Sequence, residues 1–227
     1  MLKKYEELPD FMKNEEVKEY YEILKNKKFQ LILKRIFDIV CSIILLILIS
    51  PILLVLAIAI KIDSKGPVFY RQKRITKYGR EFKIFKFRTM VVDADKKGSL
   101  VTLKNDSRIT RVGCKIRKCR LDELPQLINI LVGDMSFVGT RPEVKKYVDL
   151  YTNEMYATLL MPSGVTSLAS IEYSDEDKII DKYVKKGEKV DDIYVNRILP
   201  KKMNYNLDYI KKFNIVEDIK TCIKTVL

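Results

Sequence analysis

The chain has 227 residues, enough for one compact domain with accessory segments. Lysine and arginine number 43 against 30 aspartates and glutamates, a formal charge of +13 that points to anionic partners: phosphates, nucleic acid or an acidic membrane surface. Histidine and tryptophan are absent, so acid–base or nucleophilic chemistry has to use carboxylates, lysine, cysteine, serine or tyrosine.

Residues 1–33 are polar and mixed in charge. Val17, Tyr20, Tyr21, Ile23 and Leu24 fall near helical spacing. Two placements fit equally: an amphipathic helix leading into a membrane segment, or a solvated helix against the main domain. From Ile39 to Ile60 there is no charge, and about 20 such residues suffice to span a bilayer. The run is too long and starts too late for a signal peptide, although Ala57-Ile58-Ala59 resembles a cleavage site. Ser50-Pro51 interrupts it, because proline lacks the N–H and crowds the preceding turn. Basic residues flank both sides: Lys34 and Arg35 before, Lys61, Lys65 and Arg71 after. A single span would put one of these clusters outside, against the positive-inside tendency. A helix–break–helix hairpin over 34–62 satisfies both flanks, with the Ser50 hydroxyl replacing a donor lost at Pro51.

Val68–Arg71 and Phe82–Phe87 read as two short strands of a hairpin, with Lys77-Tyr78-Gly79-Arg80 as the turn. Residues 93–107 form a polar loop. A helix follows, with Ile109, Val112, Ile116 and Leu121 on one face, and Leu124-Pro125 interrupts it. Pro125 suits the start of a new helix, which ends at Gly133-Asp134. "MPSGVTSLAS" (161–170) reads as a turn. Met203, Leu207 and Ile210, then Val216, Ile219 and Ile223, keep helical spacing; their lysine-rich polar faces suit either a core-facing helix or one lying on a membrane. The four cysteines (Cys41, Cys114, Cys119 and Cys222) are too scattered for a zinc site and are expected to be reduced thiols.

The acidic pair Asp122-Glu123 is a weak signal alone, since Glu6-Glu7, Glu15-Glu16, Asp175-Glu176 and Asp191-Asp192 also occur. Its surroundings give it weight. If Pro125 opens a helix, the pair lies where unpaired N–H groups gather, a setting suited to anions. Arg117 precedes it and Arg141 follows, and two guanidinium groups can grip a pyrophosphate. One carboxylate is then suited to attack phosphorus while its neighbour holds Mg²⁺. Asp38 pairs with Arg35 or faces a lipid phosphate. "FKIFKFRTM" interleaves aromatics with Lys83, Lys86 and Arg88, but an apolar hairpin upstream argues against nucleic acid.

The ordered motifs "KRIFDIV", "ISPILL", "GPVFYRQKRI", "FKIFKFRTM", "NDSRITRVG" and "IRKCRLDELPQLINILVGDMSFVGTRPE" closely resemble the bacterial sugar transferases, the monotopic polyprenol-phosphate phosphoglycosyl transferases. The match runs from about Lys34 to Pro142 and continues weakly beyond. The resemblance implies an enzyme that moves a sugar-1-phosphate from a UDP-sugar to undecaprenyl phosphate and releases UMP. Asp122 would be the nucleophile and Glu123 the Mg²⁺ ligand; Arg117, Arg141, Arg88 and Lys86 would bind phosphate or nucleotide. Ser50-Pro51 would be the break in a re-entrant membrane helix. The implied fold is α+β and mostly helical: an N-terminal amphipathic extension (1–33), a re-entrant membrane hairpin (34–62), and a catalytic domain (63–227) with interfacial amphipathic helices and a short β-hairpin. The expected location is the bacterial inner membrane, with the catalytic domain facing the cytosol, membrane lipids as partners, no nucleic acid, and homo-oligomer formation left open. Two departures stand out. Many relatives read "GPRP" where this chain has Thr140 in "GTRP", and 161–170 departs from their "RPGITG". A scaffold without activity and a sugar-phosphate phosphatase are the competing readings.

Overall fold

The computed structural model describes residues 2–94, 106–173 and 176–226. Most of the polar loop expected over 93–107 lies outside them. The chain is mostly helical with small sheets and one long apolar helix.

Helix α1 (Glu15–Lys25) starts at Asn14, whose side chain accepts from Val17 N–H and so satisfies one of the helix's unpaired donors. Its apolar stripe, Val17, Tyr20, Tyr21 and Leu24, is buried in the main core. Of the two placements the pattern allowed, α1 takes the one against the domain.

Helix α2 (Lys28–Asp63) is continuous through Pro51, so the two expected membrane helices are joined into one. The reason is local. Pro51 cannot donate to the carbonyl of Ile47, and the Ser50 hydroxyl donates to that carbonyl instead, at 2.9 Å. One face of α2 packs along the domain. Leu46 and Ile49 meet the cluster of Phe82, Ile84, Leu127, Ile130 and Met135, while Leu53, Leu56 and Ala57 meet Ile60, Phe87 and Ile116. Ile47, Leu48, Leu54 and Val55 on the other side are about two-thirds exposed, an apolar surface a water-soluble protein would not leave open.

Strands β1 (Phe69–Tyr70), β2 (Lys73–Ile75), β3 (Glu81–Lys83) and β4 (Lys86–Phe87) form the expected hairpin. β1 pairs with β4 and β2 with β3, both antiparallel; Ile84 N–H donating to Gln72 O bridges the gap in the same register. The turn at Lys77–Gly79 needs positive φ at Tyr78 (61°) and Gly79 (73°).

Helix α3 (Arg111–Lys118), a 3₁₀ turn at Leu121–Glu123 and helix α4 (Gln126–Val132) follow. Gly133, at φ 91°, closes α4 as expected. Arg35 of α2 adds a second cap, donating to the carbonyls of Ile130 and Leu131 at 2.7 and 2.8 Å. Arg35 therefore does not pair with Asp38. Asp38 accepts from Ser136 Oγ and Phe137 N–H, so neither reading of Asp38 holds.

Strand β5 (Met135–Val138) pairs in parallel with β6 (Ser163–Thr166), which corrects the turn expected over 161–170. A Cβ on Gly164 would lie 2.2 Å from the backbone N of Gly139, so glycine is required for this approach. Between the strands lie α5 (Lys145–Val148) and a 3₁₀ stretch over Glu154–Leu160. Helices α6 (Leu168–Glu172), α7 (Glu176–Val184) and α8 (Val190–Ile193) lead through a π-helical segment, Tyr194–Ile198, into α9 (Leu199–Lys212). Met203, Leu207 and Ile210 bury α9 in the core with α1. Helix α10 (Ile215–Val226) packs on α2 and β5 but leaves Val216, Ile219 and Ile223 exposed, so α9 faces the core while α10 keeps an open apolar face.

Candidate active site

The loop between α3 and α4 presents Asp122 and Glu123 to a cleft of about 480 Å³. The 3₁₀ turn holds them: Glu123 N–H donates to Arg120 O, and Leu124 N–H to Leu121 O. Leu127 N–H to Leu124 O then continues the turn into α4, so the pair lies just ahead of a helix start, as Pro125 suggested.

The hairpin and the loop after β5 bring the cations. Lys86 Nζ of β4 and Arg141 Nη2 both donate to Glu123 Oε1, at 2.7 and 2.8 Å. Burial works against a charge on Glu123, yet Arg141 and Lys86 hold its carboxyl well below the usual range. Arg141 is stabilised as a cation, chiefly by Glu123. Lys86 moves the other way, because burial and Arg141 outweigh its half-share of one carboxylate. Asp122 is different. Burial raises its pKa, the charge of Glu123 adds to that, and Lys86 and Arg117 only partly offset it. Among the described residues it forms no ion pair.

Five of the six residues expected to act on phosphate therefore line one cleft: Lys86, Arg117, Asp122, Glu123 and Arg141. Arg88 does not. It is 4% exposed and donates to Ser64 O, Ser64 Oγ and Lys65 O, where it caps the end of α2. The physical reason is register: on the hairpin, Arg88 lies two residues beyond Lys86, past the end of β4 and against the end of the long helix.

Sequence reasoning missed the rest of the cleft. Arg74 donates to Pro142 O and Gln72 Oε1, and its buried Nε has no partner among the described residues. Glu143 accepts from Tyr194 Oη, and Lys202 pairs with Glu176. Tyr173 and Ser170 complete that side. In a chain with 43 basic residues no single lysine or arginine stands out, and Tyr194, Glu176 and Lys202 reach the cleft only through long-range packing. The two departures noted in the sequence meet here: Gly164 N–H donates to Thr140 O and Gly139 N–H to Thr166 O, so β6 holds the backbone next to Arg141.

No group of three or more metal-ligating side chains occurs among the described residues. The donor set still fits Mg²⁺. Both cations bond the same oxygen of Glu123, Asp122 lies beside it unpaired, and Mg²⁺ commonly takes only one or two protein carboxylates together with substrate phosphates.

The chain is similar to known proteins over most of its length. A family model described as bacterial sugar transferase matches residues 29–227. An Aeromonas hydrophila protein described as a UDP-N-acetylgalactosamine-undecaprenyl-phosphate N-acetylgalactosaminephosphotransferase is 35% identical over 198 residues, 86% of this chain and 43% of its own length. A Klebsiella pneumoniae UDP-glucose:undecaprenyl-phosphate glucose-1-phosphate transferase is 38% identical over 200 residues, 86% of this chain and 40% of its own. A Bacillus subtilis protein described as a putative undecaprenyl-phosphate N-acetylgalactosaminyl 1-phosphate transferase is 43% identical over 125 residues, 55% of this chain and 70% of its own. The chain thus spans about two-fifths of the length of the first two. A match over nearly all of this chain, with relatives 35% and 38% identical across 86% of it, means that the protein belongs to the bacterial sugar transferase family.

Proposed function

We propose that the protein is a phosphoglycosyl transferase that moves a sugar-1-phosphate from a UDP-sugar to undecaprenyl phosphate. UMP leaves, and a polyprenyl diphosphate-sugar begins a surface glycan. The observation that carries this reading is the contrast between the two acids: Glu123 is fixed as an anion by two cations, while Asp122 stands unpaired in a cation-walled cleft. The names of two relatives, which describe transfer from UDP-N-acetylgalactosamine and from UDP-glucose, support the reaction class.

In this mechanism a carboxylate oxygen of Asp122 attacks the phosphorus that carries the sugar. The bridging P–O bond breaks and its electron pair leaves with UMP. The product is an aspartyl phospho-sugar. A phosphate oxygen of undecaprenyl phosphate then attacks the same phosphorus, the bond to Asp122 breaks, and the carboxylate is restored. Arg117 and Arg141 orient the phosphates and balance charge in the transition state. Lys86 keeps Glu123 ionised and in place. Glu123 would hold Mg²⁺, whose positive charge would favour charge build-up on the phosphates.

The membrane reading is that α2 enters and leaves one leaflet, bent near Ser50-Pro51, with the catalytic cleft on the cytosolic side of the inner membrane. Its two ends favour this, because both are tied into the same domain: Lys34 to Val138 O and Asp218, Asp63 to Val112 N–H. Cysteine accessibility of the two termini in intact cells tests it; one terminus on each side would refute the re-entrant path.

The reaction is tested with purified protein in bilayer discs, Mg²⁺, undecaprenyl phosphate and a panel of UDP-sugars. UMP release with one sugar, and a phospho-sugar adduct on Asp122 by mass spectrometry, are expected. Transfer to water instead of lipid would make the protein a phosphatase. Lipid binding without UMP release from any sugar would favour a scaffold.

A further inference from the structure

Arg120 sits where the backbone favours glycine. Its φ of 52° and ψ of 22° are left-handed, a conformation that crowds an L side chain at a cost on the order of 1 kcal/mol. The conformation has a local use. It ends α3 just after Cys119, with Arg120 N–H donating to Arg117 O, and turns the chain into the 3₁₀ turn that carries Asp122 and Glu123. Glycine would do the same without the steric penalty. What arginine adds is a side chain, and that side chain lines the cleft beside Asp122. It is exposed, and its guanidinium makes no hydrogen bond or ion pair with another described residue.

The other cations of the cleft are largely committed. Lys86 and Arg141 share Glu123, Lys202 pairs with Glu176, and Arg74 donates to Pro142 O and Gln72 Oε1. Arg117 and Arg120 hold the positive charge that is not spent on protein partners. We propose that Arg120 binds phosphate in this cleft: its guanidinium contacts a phosphoryl oxygen of a substrate, and the left-handed backbone sets the direction from which it approaches. The proposal rests on the phosphoryl-transfer reading above and adds to it a residue placed by strain rather than by a motif.

The test uses the full chain in bilayer discs, with UDP and undecaprenyl phosphate as separate binding probes. Arg120→Gly removes charge and strain together, Arg120→Asn removes charge at a residue type that tolerates the left-handed region, and Arg120→Lys keeps the charge. The unliganded Gly and Asn variants are expected to melt no lower than wild type. Their affinity for one probe should fall roughly tenfold or more, with Lys in between. Weakening confined to UDP assigns Arg120 to the donor diphosphate; weakening confined to the lipid assigns it to the acceptor phosphate. Folded Gly and Asn variants that bind both probes as wild type does would overturn the proposal and leave the reaction intact. Wild-type protein that binds neither probe would overturn both.

Discussion

Two polar clusters adjoin β5 and the loop that follows it, and they end differently. Under α2, Lys34 and Asp218 are nearly inaccessible, at 4% and 1%, and their bonds close on one another. Lys34 Nζ also donates to Val138 O, Tyr209 Oη donates to Asp218, and Asp38 accepts from Ser136 and Phe137. In the cleft, one carboxylate serves two cations, its neighbour serves none, and Arg74 buries a donor with no partner among the described residues. The closed cluster ties α2, β5, α9 and α10 together. The open one holds like charges near each other and leaves bonds unmade, which stabilises the fold poorly but suits an incoming polyanion. Between these two clusters, the difference lies in how completely the charges are paired rather than in charge itself.

The largest expected effect breaks that contrast at its reactive end. If Asp122 is the nucleophile proposed above, Asp122→Asn should lower UMP release on the order of 10⁴-fold or more while the protein stays folded, because Glu123 is held by Lys86 and Arg141. A variant that kept most of its turnover would return Asp122 to the status of an ordinary surface acid. The closed cluster should respond the opposite way. Lys34→Met strands Asp218 in the interior and should cost about 3 kcal/mol in denaturant unfolding. Adding Asp218→Leu should recover much of that loss, since replacing both members of a buried pair with apolar groups is often near neutral. Recovery of stability in that double variant, with UMP release little changed throughout, would mark the cluster as structural. A selective fall in release would show that it reaches the chemistry.

Much of this was legible from local pattern. The apolar run of α2, the hairpin with its Tyr78-Gly79 turn and the Gly133 stop of α4 depend on residues a few positions apart. What was not legible depends on distant partners. β5 and β6 are four residues each and pair in parallel across a long connection, so neither carries a strong alternation of its own. The resemblance assigns Arg88 to the phosphates together with Lys86, yet Arg88 serves the end of α2. Asp38 reaches past Arg35 to β5, a contact no helical spacing predicts. Arg120 has no sequence signal at all: only its dihedral angles distinguish it from the other basic residues.

The smallest expected effect sharpens the contrast within the acidic pair. In the folded protein the pKa of Asp122 lies above its ordinary value of 3.8, chiefly through burial, so between that value and the raised one the folded state binds more protons than the unfolded state. Stability from this group therefore falls as pH rises through that window, and the full cost is present at neutral pH. Asp122→Asn removes the ionisation. The variant should thus melt slightly above wild type at neutral pH, and the difference should shrink as pH falls toward 3.8. Glu123→Gln should show the reverse sign. Its carboxyl is held below the ordinary range, so its contribution is present above the unfolded value of 4.5 and is lost only as pH falls well below it. The variant should melt below wild type at neutral pH, with Lys86 and Arg141 left facing one another. Melting curves of the two single variants from pH 4 to 8 check this. The same sign for both would mean that the adjacent acids share one environment, and the division between a reactive and an anchoring carboxylate would fail.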